Sequence, residues 1–161
     1  ASIEELLIEN LKHKGDWRDV EALAALNTPK AREAVDQARF HNKTKVRNYA
    51  LRNIIRKQDP ENTSKELIAE LEEQLIQAVM KGDYEIAEYM PTMRVKKALL
   101  DSILEIVSEK RVSAAAFLLY LCGQTSEPFD WDQRPFFLRF SGENFGEIQK
   151  AWVELRKRAG L

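Results

Sequence analysis

Cysteine is almost missing from this chain: Cys122 is the only one, so no internal disulfide can form. Its setting, Leu118-Leu119-Tyr120-Leu121-Cys122-Gly123, reads as buried and apolar, where a thiol's pKa rises and the group is inert. A reducing compartment, the cytoplasm, is therefore expected. Glycine is scarce too, with six residues placed mostly where helices should end. There is no Gly-x-Gly-x-x-Gly, no P-loop and no Gly-x-Ser-x-Gly, which excludes those phosphate cradles and nucleophile elbows. Histidine is limited to His13 and His41, and neither reads as half of a helical ligand pair with another His, a Cys or a carboxylate. No metal and no cofactor are expected. Long apolar runs are absent as well. The longest, Ala114 to Cys122, is far short of the roughly 20 residues that cross a bilayer and suits a core helix. The first residues, Ala1-Ser2-Ile3, show neither the basic nor the apolar region of a signal peptide.

What is present is a helix-forming composition. Apolar residues make up 44% and charged residues 32% of 161, a balance that buries a core and is far from disorder. That length predicts one α-helical domain over residues 1–161. Capping signals are dense. Ser2-x-x-Glu5 and Thr63-x-x-Glu66 read as capping boxes. Asp16, Thr28 before Pro29, Thr44, Thr92 and Asn144 read as further N-caps, and Asp59-Pro60 reads as a stop. Between these signals apolar residues recur at spacings of three and four. Val46, Tyr49, Ala50 and Ile54 form one stripe, and Leu67, Leu71, Leu75, Ala78 and Val79 a second. A third comprises Val95, Leu99, Ser102, Ile103 and Ile106, and a last comprises Ile148, Ala151, Trp152 and Leu155. A brief helix is expected around Tyr84 to Tyr89. The Ala-rich helix from about Glu109 to Leu121 is apolar on most sides and should sit centrally.

The pattern predicts an all-α fold of about nine helices, joined by short loops into stacked antiparallel hairpins. Residues 124–140 read as a non-helical, aromatic-rich loop before the last helix, with room for an extended piece only at Phe136 to Phe140. Its rings Phe129, Trp131, Phe136 and Phe137 should be buried. Its carboxylates Glu127, Asp130 and Asp132 should stay wet or pair with Arg134 and Arg139. Those three carboxylates beside Arg134 also resemble an acid/base site, the basis of a hydrolase reading for the 127–134 loop.

Charge is divided along the chain although the total is only -1. From Lys30 to Gln58 nine basic residues stand against Glu33 and Asp36, a local +7. Arg47, Arg52, Arg56 and Lys57 are the candidate grip on a nucleic-acid backbone. From Glu61 to Met90 eight carboxylates stand against Lys65 and Lys81, a local -6. Glu66, Glu70, Glu72, Glu73, Asp83 and Glu85 form the candidate face for a basic protein. Mutual neutralisation of the two segments is the bland alternative, at about 0 to 1 kcal/mol per exposed pair.

Trp17 to Phe40 followed by Thr44 to Ile54, with Val46-Arg47-x-x-Ala50-Leu51 opening a helix, resembles a HEAT-type repeat. Met93 to Leu100 is similar, at an irregular spacing. Ser113 through Arg139 resembles small bacterial HEAT-like proteins, some of them immunity proteins of polymorphic toxin systems. That resemblance implies an α-solenoid and a non-enzymatic, stoichiometric inhibitor of a cognate toxin, commonly a nuclease. It carries over no contact residues.

Overall fold

The computed structural model describes residues 1–59 and 61–161. Pro60, part of the expected stop after the fourth helix, lies outside them. All regular structure among the described residues is helical, with no strand. They form two compact units, residues 1–71 and 72–161.

The first unit holds α1 (Ile3–His13), α2 (Trp17–Leu26), α3 (Pro29–Ala38), α4 (Thr44–Arg56) and the beginning of α5 (Lys65–Met80). Helix starts follow local chemistry. The Ser2 hydroxyl accepts the Glu5 N–H while the Glu5 carboxylate accepts the Ser2 N–H, a complete capping box. Asp16 and Thr28 cap α2 and α3 as expected. Two expected caps are corrected. Lys43, with no side-chain bond, occupies the N-cap of α4, because the Thr44 hydroxyl accepts from the Arg47 guanidinium instead. At α5 the hydroxyl of Ser64, not Thr63, accepts the Leu67 N–H, while Thr63 donates to the Asp59 carbonyl. Helix α2 lies against α1, α3 and α4. Leu11, Val20, Leu23, Ala31, Val35, Val46 and Ala50 form the core among them. Arg39 is only 8% exposed, paired with Asp36 and Glu70 at 3.2 Å each and stacked over Phe40.

The second unit holds the rest of α5, a 3₁₀ helix at Tyr84–Tyr89, α6 (Met93–Ser102), α7 (Ser108–Leu121), short turns from Trp131 to Phe140, and α9 (Phe145–Ala159). Helix α7 contacts α6, α9, the Tyr84–Tyr89 turn and the turns before α9, the central place its sequence predicts. Ala114 to Leu119 are buried in succession, since alanines let neighbours approach on every side. The buried Ser102 hydroxyl is satisfied by the Leu99 carbonyl at 2.8 Å, and the Trp152 indole donates to the Leu100 carbonyl at 2.7 Å.

Residues 131–140 differ from the expected non-helical run. They form a 3₁₀ turn (Trp131–Gln133), the one-turn helix α8 (Arg134–Phe137) and another 3₁₀ turn (Leu138–Phe140). Asp130 caps the series by accepting the Asp132 N–H, and Pro135 stands in the first turn of α8, where a missing N–H costs nothing. The extended piece expected at Phe136 to Phe140 is therefore absent. Phe136 and Phe137 are buried as expected, joined by Phe140, and Phe129 is half-buried, whereas Trp131 is 70% exposed, contrary to the expected ring packing.

Candidate partner-binding surfaces

The basic stretch of the first unit is turned largely onto the unit itself. The Lys57 ammonium donates to the Ala24 carbonyl at 2.6 Å and to Asn27 Oδ1 at 3.1 Å, closing the C-terminal end of α2. Arg32 donates to the carbonyl of Asn27, which holds the left-handed C-cap there. Lys43 donates to the carbonyl of Lys14, the C-cap of α1. Arg47 donates to the His41 and Asn42 carbonyls at 2.7 and 2.8 Å, just beyond α3. Cations belong at these ends, where unpaired carbonyls and the helix dipole concentrate negative charge. Lys45 and Arg52 lie over the rings of Trp17 and Tyr49, which themselves pack 4.5 Å apart. Of the four candidate phosphate ligands, Arg47, Arg52 and Lys57 thus have internal partners, and Arg56 points to solvent.

The acidic candidates fall in both units. In the first, Glu66 is exposed and Glu70 pairs with Arg39. In the second, Arg94 forks between Glu72 at 2.6 Å and Glu73 at 3.1 Å. Hydrogen bonding from Gln77, and then Arg94, holds the Glu73 carboxyl below its ordinary range. Asp83 and Glu85, at the Tyr84–Tyr89 turn, have no ion pair among the described residues. Among the described residues internal pairing thus takes Glu70, Glu72 and Glu73 and leaves Glu66 and Glu85 exposed and Asp83 half-buried without an ion pair.

Glu127, Asp130 and Asp132 converge, with Ser126 and Trp131, on an open polar hollow of about 330 Å³ in the second unit. Of the two states expected for these carboxylates, wet or paired with Arg134 and Arg139, the described residues show the first. Arg139 and Arg158 both bind Glu154, holding its carboxyl low, and both lie over the Phe136 ring. Arg134 does not line the hollow. Among the described residues none of the three carboxylates has a cationic partner, and no group of three or more His, Cys, Asp or Glu is arranged to hold a metal.

The remaining chemistry-bearing groups have structural places. His13 does face a carboxylate one turn back, correcting its reading as unpaired: Glu9 lies 2.7 Å away on the exposed side of α1. His41 acts as an acceptor, its Nδ1 receiving the Lys43 N–H at 3.0 Å. Cys122 is half-buried, and that burial pushes its thiol up, so little thiolate forms near neutrality. A groove of about 380 Å³ between α1 and α3, floored by Ile8, Leu11, Ala34 and Ala38, carries no signal in the sequence. No helix among the described residues is long and apolar enough to cross a membrane. Compared with known proteins, the chain matches no protein family, no curated protein and no solved structure.

Proposed function

We propose that this chain is a non-enzymatic protein-binding protein whose partner is a basic protein, and that it acts as a cytoplasmic bacterial immunity protein blocking a cognate nuclease toxin. One observation supports this above the others: the two opposite charge segments are used differently. Among the described residues, seven of the nine basic side chains between 30 and 58 are held by carbonyls, carboxylates or rings, and Lys30 and Arg56 have no such partner. Of the eight carboxylates between 61 and 90, three are in ion pairs among the described residues. A cation bonded to a helix end must break that bond to reach a phosphate, whereas an unpaired carboxylate meets an incoming cation without such a cost. A nuclease site is cationic because it grips phosphate, so carboxylates presented on a rigid helical frame suit it as a substitute. The resemblance to bacterial HEAT-like immunity proteins agrees with this direction.

Co-expression tests the proposal. A toxin domain encoded beside this gene should be tolerated by cells that also make this chain, and the two should elute as one species in size exclusion. Cell death with separate elution contradicts it. A gel shift of random duplex at low salt, the signature of the nucleic-acid reading, should be absent.

A further inference from the structure

We propose that the hollow beside Trp131 is a docking point for an arginine side chain of the protein partner, an inference that rests on the protein-binding reading above. The starting observation is the indole. Trp131 leaves 70% of its surface in water, while Phe137 and Phe140 of the same strap are wholly buried. Folding makes little use of that surface, and a large exposed ring is the side chain most often found at the energetic centre of an interface.

The ring is also held in place. Phe129 meets Trp131 edge-on at 5.1 Å and packs on the buried Phe137 at 5.4 Å, so the exposed indole is anchored to the core through a chain of rings. Asp130 is fixed on its other side, its carboxylate accepting the Asp132 N–H at 3.0 Å and the Gln133 amide at 3.3 Å. Little ordering is left to be done on binding.

Charge decides the occupant. Among the described residues Glu127, Asp130 and Asp132 line the same hollow without a cationic partner, and Arg139 and Arg158 are engaged by Glu154 and Phe136. Phosphate would be repelled, and an apolar side chain would desolvate carboxylates for no return. A guanidinium satisfies both components, stacking on the indole while its planar N–H groups meet carboxylate oxygens; an ammonium does the second but stacks less well.

The probe is a short blocked peptide carrying one arginine, titrated into the isotope-labelled full chain and followed by NMR. The indole N–H of Trp131 and the amides of Glu127 and residues 129–132 should shift saturably, with Trp17 and Trp152 unmoved. Trp131→Ala, and separately the pair Glu127→Gln and Asp132→Asn, should each weaken binding about fivefold. Neither change removes a buried group, and an unchanged melting curve verifies the fold of each. The same peptide with glutamate in place of arginine should produce no shift. An unmoved Trp131 resonance, equal shifts with the glutamate peptide, or full affinity in both variants overturns the inference. Those results leave the protein-binding reading to its co-expression test. Conversely, a chain that fails to neutralise any toxin yet shows the Trp131 response loses that reading and keeps the guanidinium site.

Discussion

At Gly15 two constraints coincide. Its φ of +60° lies in the left-handed region, and a Cβ there would stand 2.4 Å from His41 Cε1. The His41 ring cannot retreat freely, because its Nδ1 holds the Lys43 N–H. Gly15→Ala should therefore cost about 2 kcal/mol, measured as a lower denaturation midpoint. Adding His41→Ala should restore part of the loss by removing the collision and leaving the backbone strain. Asp16, the next residue, supplies a pH prediction. The side-chain bond from Arg18, with its backbone N–H, lowers the carboxyl from 3.8 to about 2. A depressed carboxyl stabilises the fold fully above its unfolded value, and that contribution is lost as pH falls through the folded value. Asp16→Asn keeps an N-cap acceptor but cannot titrate, so its stability should vary less than that of the parent chain between pH 3.8 and about 2. Equal acid dependence in the two proteins would show that Asp16 contributes nothing there.

At the scale of the element, helix ends carry the structural argument. Lys57 lies on the turn after α4 but closes α2, 33 residues earlier, through the Ala24 carbonyl. Lys57→Met keeps the aliphatic stem and removes the ammonium, so the loss should be about 1 kcal/mol, with faster hydrogen exchange confined to the last turn of α2. Such bonds explain what the sequence could and could not reveal. N-caps depend on residues two or three positions apart, so Ser2, Asp16, Thr28, Thr92 and Asn144 are legible directly. Thr44 and Thr63 mislead because another partner competes for each hydroxyl: Arg47 in one case, the Asp59 carbonyl in the other. The amphipathic stripes are equally legible; Val95, Leu99, Ser102, Ile103 and Ile106 are all buried. The turns at 131–140 hide because each is too short to show a helical period, although Asp130 before a turn and Pro135 at the next start were signals of the right kind. The carbonyl partners of Lys57, Lys43 and Arg47 stay hidden, since no sequence pattern tells which helix end a long cation will reach. The same holds for Trp131, whose exposure depends on where the strap places its neighbours.

Over the whole molecule, near-neutrality conceals different uses of charge. The total of -1 would suggest a surface without preference. In the first unit, however, most of the basic stretch is bonded to helix ends, rings and carboxylates. In the second, Glu127, Asp130 and Asp132 stand around an exposed indole with no ion pair among the described residues. The sum therefore says little about the partner, and the bonding state of each charge says more. The most direct measurement is the association rate of the full chain with its toxin domain as ionic strength rises from about 50 mM to about 500 mM, over which the screening length shortens from about 14 to about 4 Å. If unpaired carboxylates draw in a basic partner, the rate falls at least about tenfold across that range while the dissociation rate changes little. A flat association rate would contradict the account.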